Sequence, residues 1–142
     1  MNAYVDASAL VKLVLDERES DDTAASWVEI DEPYASLVEY VELRAALAAA
    51  QRAGRQLRSG MTGTEAAMRE TWEEVTPVYF DEAVARTAGA LAERHQLRAL
   101  DAIHLASALL VAGSDRFAFL SFDVRLRAAA AAEGFVVLPK AL

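Results

Sequence analysis

Short β-prone runs alternate along the chain with longer stretches in which apolar residues return every three or four positions, the spacing of a one-sided helix. Residues 3–5 read as a strand ending at Asp6, and Ser8 as the cap of a helix through Leu15. Ser20-Asp21-Asp22 opens a second helix with Ala24, Trp27, Val28 and Ile30 on its apolar side, stopped by Pro33. A strand at 34–36 leads into a long helix over 37–52, with Val38, Val41, Leu43 and Leu47 as its apolar stripe and Gly54 as its stop. Thr62 or Thr64 starts a helix to about Val75, and 76–80 form a third strand. Asp81 caps a helix of Ala83, Val84, Ala88, Leu91 and Ala92 that runs to about His95. Asp101 opens a helix through Val111, ended by Gly113, with Leu100 and Ile103 reading as buried. Residues 117–120 make the most apolar strand, 124–133 a helix, and 135–138 the last strand before Pro139. This alternation predicts an α/β fold, a three-layer sandwich with a mainly parallel central sheet flanked by helices. In such sheets functional groups collect beyond the carboxyl ends of the strands, where the strand order switches.

The 142 residues fit one domain, 1–142, and no repeat or Pro/Gly/Ser linker divides them. There is no cysteine, which removes disulfides, thiolate metal sites and thiol catalysis. The first residues show no basic region ahead of an apolar core, and residues 102–114, uncharged but only 13 long, are too short to span a bilayer. The reading is therefore a soluble, cytoplasmic protein with no membrane partner. A net charge of -8 argues at first against a polyanionic ligand. Residues 16–32, however, hold eight acids against one base, while the other 125 residues hold 14 acids and 13 bases. Nucleic acid is thus compatible with the rest of the chain. The acidic run itself reads as a solvated face.

Four carboxylates sit beside core segments. Asp6 follows the first strand, Asp123 follows the strand at 117–120, Asp101 starts an apolar helix, and Glu42 lies beside the apolar stripe of the 37–52 helix. Carboxylates next to a core need compensation, and few Lys or Arg stand nearby. A hard divalent cation, Mg²⁺ or Mn²⁺, would supply it through oxygen ligands. Such a cation activates water and offsets phosphoryl charge, the chemistry of metal-dependent nucleases. Each residue also has a plainer role: Asp6, Asp101 and Asp123 as helix caps, Glu42 as a solvated helix residue. His104 reads as a packing residue within its apolar helix, and His95 as part of a polar helix end.

Four segments taken in order carry a family resemblance: Tyr4-Val5-Asp6-Ala7-Ser8-Ala9-Leu10, Ser36-Leu37-Val38-Glu39-Tyr40-Val41-Glu42-Leu43-Arg44-Ala45, Leu100-Asp101-Ala102-Ile103-His104-Leu105-Ala106, and Leu120-Ser121-Phe122-Asp123-Val124-Arg125-Leu126. Together they resemble the PIN-domain family, and within it the VapC-type toxins of bacterial toxin–antitoxin pairs. The resemblance implies a Mg²⁺- or Mn²⁺-dependent endoribonuclease whose acidic pocket is built from Asp6, Glu42, Asp101 and Asp123. Asp6 and Asp101 would be the firmest metal ligands, Asp123 would bind directly or through water, and Glu42 would help hold the metal or orient the attacking water. Ser8 and Ser121 would be auxiliary, each bonding a ligand or a metal-bound water; relatives often carry Thr where Ser121 stands. The implied partners are an RNA substrate, a second copy in a homodimer, and a cognate VapB-type antitoxin whose tail lies in a groove near the pocket, assigned to residues 8–30 and 37–75. Arg44, Arg98, Arg125 and Arg127 lie close in sequence to the acids and are candidates for phosphate contact, Arg44 and Arg125 foremost.

Two other classes compete. A receiver-type phosphoacceptor domain would use Asp6, Asp81, Ser121 and Lys140, but it leaves Glu42 and Asp101 without a task and lacks a second acid adjacent to Asp6. A catalytically silent PIN-like module would bind RNA or a partner without turnover; the presence of all four carboxylates argues against it.

Overall fold

The computed structural model describes residues 1–142. Its elements run β1 (Ala3–Val5), α1 (Ala7–Val14), α2 (Ser20–Val28), β2 (Pro33–Ser36), α3 (Leu37–Arg52), α4 (Thr64–Glu73), β3 (Thr76–Val78), α5 (Glu82–His95), α6 (Ala99–Ala112), β4 (Ala118–Leu120), α7 (Val124–Ala132) and β5 (Val136–Leu138). All five strands are parallel in one sheet of order β3-β2-β1-β4-β5. The chain builds outward from β1 to β2 and β3, then returns to the other side of β1 for β4 and β5. The switch in strand order therefore falls between β1 and β4, where parallel α/β sheets open a crevice.

Period-two alternation explains how both sheet faces are covered. In β1, Ala3 and Val5 point to one side and Tyr4 to the other; in β4, Ala118 and Leu120 share the first side and Phe119 the second. Ala3, Val5 and Leu120 pack with Leu10, Val14, Leu43, Leu47 and Met68 of α1, α3 and α4. Tyr4 and Phe119 pack with Val84, Leu91, Leu105 and Leu126 of α5, α6 and α7. Strands buried on both faces read as near-continuous apolar runs, as these do. No helix is long and apolar enough to cross a membrane.

The departures from the sequence reading are local. Of the two caps the sequence offers for α1, Asp6 takes the role and Ser8 lies inside the helix, and α6 begins at Ala99 behind Arg98, two residues before Asp101. On α3 the apolar stripe is rotated: Val41 is 66% exposed while Glu39 is fully buried. Val28 and Leu100 face outward as well, and β3 ends at Val78, leaving Tyr79 and Phe80 exposed. Neighbours decide these cases, because an exposed Val or Leu at a helix end carries little penalty.

Candidate active site

Asp6 and Asp123 leave the carboxyl ends of β1 and β4, the two strands that flank the switch point. The two strands are in register, Val5 opposite Leu120, and the Asp6 N–H donates to the Leu120 carbonyl at 3.1 Å, so the two loops leave the sheet side by side. Asp6 caps α1 and Asp123 caps α7, while Asp101 lies in the first turn of α6. Three acids thus stand at the amino ends of three helices, whose partial positive charge offsets part of their mutual repulsion.

Two serines fix Asp6, which is only 5% exposed. The Ser8 hydroxyl donates to Asp6 Oδ1 at 2.6 Å, and the Ser121 hydroxyl to Oδ2 at 2.9 Å. Each serine oxygen also accepts an amide from the turn after β4: Phe122 N–H to Ser8 at 2.9 Å, Asp123 N–H to Ser121 at 3.1 Å. The carboxylate, both hydroxyls and the β4–α7 turn therefore form one hydrogen-bonded unit. Burial raises the Asp6 carboxyl above its ordinary pKa, and the bonds from Ser8 and Ser121, the nearby His104 and the Ala9 N–H pull it back. Asp123 accepts the Leu126 N–H through Oδ1 at 2.8 Å, which leaves its Oδ2 uncommitted.

The α3 and α6 wall is organised differently. Glu42, partly exposed, accepts from His104 Nε2 at 2.6 Å. His104 Nδ1 lies 3.0 Å from the Tyr4 hydroxyl, which in turn accepts the Ser36 N–H at 3.0 Å. Glu39 Oε1 is also 3.0 Å from Nδ1 but not aligned as a hydrogen bond, and neither Glu39 oxygen has a hydrogen-bond partner. Burial drives the Glu39 pKa up to about 8, against the pull of His104. Burial would lower His104, but Glu39 and Glu42 beside it outweigh that and hold the imidazole well above its ordinary value. Asp101, three residues before His104 and so on the same helix face, contacts Arg98 Nε at 3.4 Å.

The acids differ in how closely they are joined. Asp6, Ser8, Ser121 and the Asp123 backbone form the hydrogen-bonded unit, Glu42 bonds His104 outside it, and Asp101 shares only a helix face with His104. No three His, Asp or Glu side chains stand at metal-ligand spacing. The donor chemistry nevertheless fits a hard cation, since every candidate atom is a carboxylate or hydroxyl oxygen. Mg²⁺ commonly takes one or two carboxylates and keeps waters for the rest.

The arginines separate into distinct roles. Arg44 pairs with Glu65 at 3.0 and 3.1 Å beside a concavity of about 410 Å³ between α3 and α4. Arg127 is structural: it donates to the carbonyls of Ser121, Leu138 and Pro139 at 2.7–2.8 Å, which removes it from the phosphate-contact set. Arg125, second residue of α7, lines an open depression with His95 and Gln96. Arg98 is exposed beside Asp101. Asp81 caps α5 after β3, two strands from β1 and so roughly 10 Å across the sheet, which leaves the receiver-type set ungathered.

Residues 3–132 match the PIN domain family model. The chain belongs to the PIN-domain family. Within it, the chain belongs with the VapC proteins: it is 40% identical over 139 residues to ribonuclease VapC45 of Mycobacterium tuberculosis, covering 98% of this chain and 96% of that one. Solved structures share the PIN fold at lower identity. A toxin–antitoxin complex from Klebsiella pneumoniae has a TM-score of 0.63 at 20% identity, covering 86% of this chain and 87% of that one. The sarcin-ricin loop cleaving toxin VapC20 of M. tuberculosis has a TM-score of 0.64 at 18% identity, covering 95% and 97%.

Sequence reasoning missed Glu39 and gave His104 only a packing role. His104 is indeed buried, at 2% exposure, but it also joins α6 to Glu42 and Tyr4. One signal for Glu39 was present: Ser36-x-x-Glu39 has the spacing of a capping box, in which the glutamate returns to the cap N–H. Here that N–H is taken by Tyr4, and the glutamate turns into the core.

Proposed function

We propose that this PIN-domain chain is a divalent-cation-dependent endoribonuclease and the toxin of a toxin–antitoxin pair. It cuts RNA phosphodiesters with activated water, leaving 3′-hydroxyl and 5′-phosphate ends. The observation that carries the reading is Asp6, a buried carboxylate at the strand-order switch, gripped through both oxygens by hydroxyls that are themselves anchored to the turn bearing Asp123. A carboxylate held this way is pre-organised rather than merely tolerated. The 40% identity to a named ribonuclease supports the same activity.

Asp6, Asp101 and Asp123 would hold Mg²⁺ or Mn²⁺, with Glu42 beside them. When bound, such a cation lowers the pKa of water and offsets charge on the phosphoryl oxygens. Ser8 and Ser121 keep Asp6 in a single rotamer. Arg125 and Arg98, free of competing backbone bonds, would meet RNA phosphates. The similarity to a toxin–antitoxin complex supports a VapB-type antitoxin as partner, on the surface formed by residues 8–30 and 37–75, which contains the α3–α4 concavity. The same reading gives a cytoplasmic homodimer.

Because no three acids stand at metal-ligand spacing, one alternative is kept, a PIN module that binds RNA without cutting it. Incubating antitoxin-free protein with total and model RNAs in Mn²⁺, Mg²⁺ or EDTA separates the two. Metal-dependent cleavage with 5′-phosphate ends, absent in Asp6→Asn and Asp101→Asn, supports the nuclease. RNA binding with no cleavage under any metal supports the silent module.

A further inference from the structure

Glu42 differs from the three aspartates in origin and in partners. It comes from the second turn of α3 rather than from a strand end, and one of its two oxygens is already committed, accepting from His104 Nε2 at 2.6 Å. Its side chain is 31% exposed, so the remaining oxygen reaches water.

The imidazole that holds it is itself fixed from several sides. Nδ1 faces the Tyr4 hydroxyl at 3.0 Å, and that phenol is pinned by the Ser36 N–H and stacked on Phe119 with ring centroids 5.3 Å apart. Glu39 lies against the same edge of the ring. Its usual task at this spacing, returning to the Ser36 N–H, has been handed to Tyr4. A fully buried carboxyl group without hydrogen bonds is strongly unfavourable in its charged form, and the one basic group within ion-pair distance of it is His104. Tyr4, Ser36, Glu39 and His104 thus form a buried frame spanning β1, β2, α3 and α6, and the partly exposed Glu42 is held at its edge.

We infer that His104 is a positioning residue that presents Glu42 to orient the attacking water, rather than to serve as a ligand of the cation. The inference rests on the ribonuclease reading above. It divides the four acids: Asp6, Asp101 and Asp123 for the cation, Glu42 for water.

The test uses His104→Met, which keeps the volume but not the donor, His104→Gln, which restores an N–H toward Glu42, and Glu42→Gln alone and combined with His104→Met. Two quantities are read: Mn²⁺ affinity by electron paramagnetic resonance without RNA, and single-turnover cleavage of a model RNA. His104→Met is expected to slow cleavage about 10- to 100-fold, the scale for removing a group that orients an active-site residue. Its Mn²⁺ affinity should stay within about threefold of wild type, while Asp6→Asn loses most of its own. His104→Gln should recover most of the rate, and the double variant should be no slower than Glu42→Gln alone. Should His104→Met fail to fold because Glu39 is left unbalanced, His104→Met with Glu39→Gln removes that charge and allows the same comparison. Wild-type cleavage by His104→Met, a double variant as slow as the product of the singles, or a loss of Mn²⁺ affinity matching Asp6→Asn would each overturn the assignment. A wild-type protein that binds Mn²⁺ but cuts no RNA removes the ribonuclease reading itself, and the inference with it.

Discussion

Two buried carboxylates, about as secluded as each other, are stabilised in opposite ways. Asp6 receives two hydroxyls at 2.6 and 2.9 Å and a longer backbone amide at 3.4 Å, so its charge is met by hydrogen bonds. Glu39 receives no hydrogen bond, and only the field of His104 compensates it. The first arrangement fixes the direction of the carboxylate at the strand-order switch, as the proposed cation site requires. The second fixes charge balance inside the frame and offers nothing to a ligand. Burial of an acid alone therefore says little about function; the geometry of its partners separates a working group from a supporting one.

The comparison is broken most severely at Asp6. Asp6→Asn keeps shape but removes the negative charge, and RNA cleavage should fall by at least about a hundredfold, the scale for losing a key electrostatic contact. Quantifying cleavage products by gel checks this, with circular dichroism to confirm the fold. Ser8→Ala and Ser121→Ala come next. Each deletes one hydroxyl from Asp6 and orphans one turn amide, so each should lower stability by about 1–3 kcal/mol in a urea titration. Cleavage should drop about 10- to 100-fold, as for other groups that orient a functional residue. Ser121→Thr keeps the hydroxyl and should lie much nearer wild type.

How much of this was legible in the sequence follows from the same residues. The strands and both cap acids, Asp6 and Asp123, were readable because a strand end followed by Asp and an apolar helix is a local pattern. So was the layer arrangement, which alternation alone dictates. The serine clamp was only half legible: Ser8 and Ser121 could be named, but 113 residues separate them, and only the pairing of β1 with β4 brings both to Asp6. The role of Glu39 was not legible at all. Helical spacing left the choice of buried side open on α3, and periodicity favoured Val41 over an acid; the partner that reverses this choice, His104, lies on another helix. Arg127 was misplaced for a similar reason, since its carbonyl partners on the β4 and β5 ends become neighbours only in the folded sheet.

Glu39 sharpens the comparison through pH. Its folded pKa of about 8 lies above the ordinary carboxylate value of 4.5, so the folded protein retains a proton that the unfolded chain releases between them. That contribution to stability is fully present below about pH 4.5 and lost as the pH rises toward about 8. His104, also raised, acts in the same direction above pH 6.5. The melting temperature attributable to this frame should decline across pH 5–8, and Glu39→Gln should flatten the decline. An equal slope in both proteins by differential scanning fluorimetry would remove Glu39 from the account.

The smallest effects are expected at the rim. Arg98→Ala and Arg125→Ala should each weaken RNA binding modestly and reduce the slope of log affinity against log salt by about one phosphate contact. Arg127→Ala should instead lower the melting temperature, because it strips a donor from three backbone carbonyls.

The most direct test of the central claim, that the serine-clamped Asp6 anchors a divalent-cation site, is a Mn²⁺ titration of the RNA-free protein followed by electron paramagnetic resonance. Saturable binding to the wild type that Asp6→Asn abolishes, and that Ser8→Ala with Ser121→Ala weakens, is the predicted result. No saturable binding to the wild type, or equal binding by Asp6→Asn, would contradict it.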